Sequence, residues 1–208
     1  MPRLSIPPFD LNAFSGPFRS ESDRACAVLG AALLDARLES LYNRRLRFSK
    51  DELLSGNGPL GTFSARIRLA HALAWIGDDV QHDLHIIRSV RNEFAHNFDH
   101  ELSFDNQSIA DKCRNLRTAQ VLIDANAHAA SIPHRNLSAE VIRAMGTIFR
   151  PPRQRYEVSV EMLAQHIDDL EGETSAYAGP DLKEELWKLG SNVNIKVTAT
   201  LTVGPAST

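Results

Sequence analysis

Asp78-Asp79-Val80-Gln81-His82-Asp83-Leu84-His85-Ile86-Ile87-Arg88-Ser89-Val90-Arg91-Asn92-Glu93-Phe94-Ala95-His96 is the stretch on which the fold turns. Val80, Leu84, Ile87, Val90 and Phe94, with Ile86 beside them, return at helical spacing. A helix from about Asp79 to His96 therefore has one apolar side that must be buried. Gly77-Asp78-Asp79 makes the corner into it, with carboxylates at the positive end of the helix dipole.

The far end of this helix gathers Arg91, Asn92 and His96. A guanidinium holds an oxyanion bidentately, and an imidazole near its ordinary pKa gives or takes the proton that RNA cleavage through the 2′-hydroxyl requires, without a metal. The same residue types also suit a helix end for structural reasons, because cations and αL-tolerant residues complement its exposed carbonyls. At about 100° per residue, Arg91 and His96 project roughly 140° apart on a regular helix. Two arrangements bring them together: the helix ends near Ala95 and His96 folds back, or two copies of the helix meet about a two-fold axis. In such a cleft Arg91 would stabilise the phosphorane charge, His96 would act as general acid or base, and Asn92 would orient the substrate or the imidazole. His85, Arg88 and Glu93 on the same helix are candidates for a partner or dimer interface.

Working outward, Ser55-Gly56-Asn57-Gly58-Pro59-Leu60-Gly61 is a break that ends on Thr62, a capping hydroxyl for a helix through Ile67 and Ala70. That helix and the next should be adjacent and antiparallel. The three glycines fit neither a P-loop nor a dinucleotide fingerprint, so a plain turn is the default. Upstream, Ser22 can cap a helix carrying Ala25, Cys26, Leu29, Ala32, Leu33, Ala36 and Leu41 at helical spacing. Arg44-Arg45-Leu46-Arg47 at its end complement its dipole. Prolines at 2, 7, 8 and 17, with Gly16, mark residues 1–21 as an extended arm that can still dock on the body.

Downstream of Phe98 the chain reads as a loop to Asn106 or Ser108. One helix then runs through Ile109, Cys113, Leu116, Val121, Leu122 and Ile123 and fades near Ala130. Ser138 can cap a segment from Ala139 to Phe149 that stops before Pro151-Pro152, and Arg153 to Leu170 forms another helix with Val158, Met162, Ile167 and Leu170. The expected organisation is an all-α antiparallel helical bundle over 22–171, followed by an appendage over 172–208 with a short helix and a possible strand. In that appendage Val193, Ile195 and Val197 alternate with polar residues. A lone strand leaves its backbone groups unpaired, so these three residues are candidates for contact with a partner or a second copy; a solvated tail is the alternative.

At 208 residues and 43% hydrophobic content, one substantial core is expected. A net charge of −3 removes the overall attraction that DNA-binding proteins carry. Cys26 and Cys113 are too few and too far apart for a disulfide framework or zinc site, and no apolar run reaches the length of a signal peptide or membrane span, so a cytoplasmic protein is expected. His82 and His85 share a helix face with Asp83, and His96 and His100 follow, but sequence fixes no third ligand. Neither a metal nor a cofactor is expected.

Gly58-Pro59-Leu60-Gly61-Thr62-Phe63-Ser64-Ala65-Arg66-Ile67, Asp83-Leu84-His85-Ile86-Ile87-Arg88, Arg91-Asn92-Glu93-Phe94-Ala95-His96 and Leu102-Ser103-Phe104-Asp105, in that order, resemble the mannitol operon repressor family over about residues 22 to 125. The resemblance implies an all-helical regulator of sugar-alcohol uptake genes that has no recognisable DNA-binding motif and acts through other proteins. Arg91-x4-His96 with Asn92 also resembles the motif of HEPN domains, helical bundles that dimerise and in many members form metal-independent ribonucleases; others are inactive binding modules. Two functions follow as expectations. One is a homodimeric transcription-regulatory protein with a protein or nucleic-acid partner, RNA included. The other is an endoribonuclease, a toxin or phage-defence effector, with Arg91, Asn92 and His96 in a dimeric site.

Overall fold

Three helices start where the sequence supplies an oxygen to receive the first free amides. The Asp10 carboxylate accepts from Ala13 N at 3.0 Å, Ser22 Oγ from Ala25 N at 3.3 Å and Thr62 Oγ1 from Ala65 N at 3.2 Å. The computed structural model describes residues 7–46, 50–97, 101–131 and 149–172. Among these residues there are eight helices and no strand: α1 (Leu11–Ser20), α2 (Asp23–Arg45), α3 (Lys50–Leu54), α4 (Phe63–Ala72), α5 (Asp78–His96), α6 (Gln107–Arg114), α7 (Arg117–Ser131) and α8 (Pro152–Gly172). The chain is an all-α bundle.

The helix directions follow from which ends meet. Arg24 near the start of α2 donates to the carbonyls of Phe94 and Asn97 at the end of α5, while Tyr42 near the end of α2 packs on Trp75 just before α5, so α2 and α5 are antiparallel. α8 runs parallel to α2: Arg153 pairs with Asp23 at the two starts (2.5 Å), and Arg37 pairs with Asp168 toward the two ends (2.8 Å). The bundle is thus antiparallel in part, with α8 as its parallel member. Close approach of α2 and α8 requires Gly30, where a Cβ would lie 3.0 Å from Val160 Cγ2 and 3.1 Å from Tyr156.

The core joins Leu34, Leu38 and Leu41 of α2, Leu84, Ile87 and Phe94 of α5, and Tyr156, Leu163 and Ile167 of α8. Phe94, Phe104 and Tyr156 form a ladder with centroids 5.2 and 5.1 Å apart, and the Tyr156 hydroxyl donates to Ala27 O at 2.7 Å, which satisfies its polar end. Of the residues expected to face inward from α5, Val80, Leu84, Ile87, Val90 and Phe94 are buried, whereas Ile86 is only half-buried, at the edge of the apolar side.

Residues 11–20 depart from the expected extended arm, because they form α1. Pro7 and Pro8 precede the helix and leave it intact. Pro17 lies within it, near its end, and removes a single backbone donor. Against that loss, Phe14 and Phe18 stack at 4.6 Å, with Phe18 buried. The Arg19 guanidinium pairs with the buried Glu161 carboxylate, and Arg153 takes the free carbonyls of Arg19 and Glu21. The short α3 has no periodic signal in the sequence. In the glycine turn, the N–H groups of Gly58, Leu60 and Gly61 donate to the carbonyls of Ser55, Leu53 of α3 and Gly58, so it is a turn and offers no anion cradle. The expected helix over 139–149 falls largely, and the expected strand through Val193, Ile195 and Val197 wholly, outside the described residues.

Both thiols are free and buried. Burial pushes Cys26 and Cys113 from their ordinary 9.0 up to about 12. A pKa raised in the folded state contributes stability that is complete below the unfolded value and is lost as pH climbs toward the folded one. Chemical denaturation midpoints should therefore fall between pH 9 and 12, and a thiol reagent should label the folded chain only at its rate of opening. Rapid labelling of both cysteines below pH 9 in native buffer would contradict this.

Candidate functional site

On α5, the residues Asp78, His82, His85, Ser89, Asn92 and His96 recur at alternating steps of four and three, which lines them up as one polar stripe. Facing this stripe are α6 and the start of α7. Two open hollows of about 600 and 760 Å³ lie between them and share Ser89, giving one groove along the helix. Lys112 and Arg117 border the first hollow, and Asn106, Gln107 and Ser108 border the second. Ile109 and Leu102 supply apolar surface to the second.

Glu93 ties the two walls together. Its Oε1 accepts from Lys112 Nζ at 2.6 Å and Ser108 Oγ at 2.7 Å, while Oε2 is buried without a partner. Burial pushes this carboxyl up, but the Lys112 and Ser108 hydrogen bonds outweigh that and hold it below the ordinary carboxylate value. Arg117 is likewise neutralised, by Asp79 at 2.6 Å. The groove's charges are largely paired inside the protein.

The corner between α6 and α7 fixes the far wall, and two residues outside the groove hold it. Expected as one helix, the segment breaks at Asn115-Leu116 because its backbone groups there find better partners. The fully buried Asp83 of α5 accepts from Arg117 N at 2.9 Å and Thr118 N at 2.8 Å, so its carboxylate caps α7 from another helix. Arg155 of α8 donates to the carbonyls of Cys113 (3.0 Å), Arg114 (3.0 Å) and Leu116 (3.1 Å), so its guanidinium caps α6. In the sequence Asp83 stands out as a companion of His82 and His85 and as part of the family-like stretch Asp83–Arg88, with no structural role attached, and Arg155 does not stand out at all. The signal for Asp83 was its place on the apolar arc of α5, between Val80 and Ile87, where a carboxylate needs buried donors.

The residues singled out by the motif fall on different surfaces. Asn92, Glu93 and His96 line the groove, as does His85 in the first hollow. Arg91 and Arg88 do not line it. α5 continues without a break through His96, so the fold-back arrangement is absent, and Arg91 Nη1 donates to Asn92 Oδ1 at 3.0 Å. Within one chain the arginine and the histidine do not converge. Burial, then the charges of Arg88, Arg68 and His82, hold His85 below the usual histidine value. His82 Nδ1 is 3.1 Å from Asp83, and no group of three His, Cys, Asp or Glu among the described residues could hold a metal. Among these residues, no helix is long and apolar enough to cross a membrane.

The model of the mannitol repressor family matches residues 45–145, a span that includes α4 to α7 and both walls of the groove. Among solved structures, a chain of the X-ray structure of the MtlR–HPr complex from Escherichia coli is similar, with 21% identity and a TM-score of 0.52. The similarity covers 75% of this chain and 99% of that one, and at this identity it is a likeness of fold. No curated protein matches the chain.

Proposed function

We propose that the chain is a regulatory protein of the mannitol-repressor type that acts by docking a protein partner in the groove between α5 and α6–α7, and that HPr is such a partner. The observation that carries this reading is an overlap: every residue that lines the groove falls within the span matched by the mannitol repressor family. The likeness of fold to a chain crystallised with HPr supports the choice of partner. An open, shallow, internally neutralised groove suits a protein surface better than a small substrate, which needs enclosure on most sides. The net charge of −3 agrees with control exerted through a partner and not through direct DNA binding.

For the ribonuclease reading, Arg91 and His96 would need a second copy of the chain, because they do not converge within one.

Calorimetric titration with HPr tests the proposal. Wild-type chain should bind saturably, and Asn92→Arg or Gln107→Arg, which fill the groove, should weaken binding at least about tenfold while leaving the fold intact. In EDTA the same protein should leave structured and unstructured RNA uncut. No binding to HPr, together with RNA cleavage lost in Arg91→Ala and His96→Ala, would replace this reading with the ribonuclease.

A further inference from the structure

Glu93 leaves half of its hydrogen-bonding capacity unused. Oε1 takes both donors, Lys112 Nζ and Ser108 Oγ, while Oε2 is buried without a partner among the described residues. A carboxylate oxygen in that state is costly, and folded proteins keep few of them. The side chain as a whole is 34% exposed and lines the second hollow, so rotation about its last bond turns Oε2 toward a group docked there.

The two hollows differ in the charge they offer. Lys112 and Arg117 line the first, whereas among the described residues neither a lysine nor an arginine lines the second, where the basic side chain is His96. Gln107, on the facing wall, commits its amide nitrogen to Asp111 at 3.0 and 2.9 Å, which leaves its carbonyl oxygen as an acceptor. One hollow of about 760 Å³ is thus lined by an acceptor from α5 and another from α6.

We infer that the second hollow receives an arginine side chain of the docked protein, whose guanidinium donates to Glu93 Oε2 and to the carbonyl oxygen of Gln107. A guanidinium carries five N–H donors in a planar fork and no acceptor, so it serves two oxygens on facing helices at once. Its aliphatic stem packs on Leu102 and Ile109, the apolar surface of the same hollow. The ammonium of a lysine is more strongly hydrated and loses more on entering. An acidic side chain would meet the Glu93 carboxylate, and an apolar one would leave Oε2 without a donor. The inference rests on the docking of a protein in the groove and adds the side chain that anchors it there.

NMR titration of the full chain with N-acetyl-arginine amide, beside its lysine and glutamine analogues, tests the inference apart from HPr. The arginine amide should shift the backbone signals of Asn92, Gln107 and Ser108 saturably, the lysine analogue should bind more weakly, and the glutamine analogue should leave them in place. Glu93→Gln keeps an oxygen for Lys112 and Ser108 but puts a donor where Oε2 stood, so it should weaken arginine amide at least about tenfold. Lys112→Met breaks the same tie yet leaves the carboxylate, and should retain arginine amide, which separates an acceptor for the partner from a strut between α5 and α6. Absence of saturable shifts with arginine amide, shifts that survive Glu93→Gln, or shifts lost in Lys112→Met would overturn the inference. HPr that binds wild type and Glu93→Gln equally would also overturn it while the docking reading stands; arginine-amide shifts without any HPr binding would keep the preference of the hollow and remove HPr as its partner.

Discussion

Asp83→Ala is expected to destabilise the chain by about 3 kcal/mol, which for a protein of this size lowers the melting temperature by roughly 10 °C. The carboxylate is fully buried and each oxygen serves a different amide, Oδ1 that of Arg117 and Oδ2 that of Thr118. Alanine leaves both donors without their partner, that of Thr118 in a place water does not reach, and it removes the negative charge at the positive end of α7. Asp83→Asn retains one acceptor and turns a donor toward the other amide, so it should lose stability too, by about half as much as Asp83→Ala. Urea denaturation of the three proteins measures this order directly. An Asp83→Ala midpoint equal to that of the wild type would mean that α7 is held by something else.

Arg155→Met should be comparably damaging, at about 3 kcal/mol, even though methionine suits a buried helix. The side chain is 6% exposed and its guanidinium serves three carbonyls and the Gln120 amide oxygen. Burial lowers its pKa, while the nearby Cys113, Asp83 and Asp124 act in the opposite direction. The loss in Arg155→Met thus comes from carbonyls stranded at the end of α6 and from weakened opposition to Asp83. Because the two residues hold adjoining ends of one corner, the double variant should lose less than the sum of the single variants. Strict additivity in denaturation midpoints would show that α6 and α7 are anchored independently.

What could be read from the sequence was local. Val80, Leu84, Ile87, Val90 and Phe94 declared the buried side of α5, and Ser22 and Thr62 marked two helix starts, because periodicity and capping act within a few residues. What could not be read came from contacts between distant segments. The prolines near α1 looked like breaks because the stacking of Phe14 on Phe18 and the pairing of Arg19 with Glu161 are tertiary effects. Arg45, read as complementing the dipole of its own helix, lies in the last turn of α2 as expected, but it also donates to Leu170 O at the end of α8 and lies over the Trp75 ring. Arg24, Arg153 and Arg155 do the same for other helix ends. A helix end signals its need for a cation, but nothing local says which arginine will answer.

For the candidate site, the sequence supplied Asn92, Glu93, His96 and His85, all of which line the groove. It also supplied the angular argument that separates Arg91 from His96, and the unbroken α5 retains that separation. It could not supply the opposite wall, since Asn106, Gln107 and Ser108 acquire meaning only once Asp83 and Arg155 have set the corner that positions α6.

Hydrogen–deuterium exchange with and without HPr tests the central claim most directly. Docking in the groove predicts slower exchange in the second half of α5 and in α6 when HPr is added, with α1 and the start of α2 unchanged. Unchanged exchange along α5 and α6 at saturating HPr, or protection confined to surfaces away from them, would contradict it.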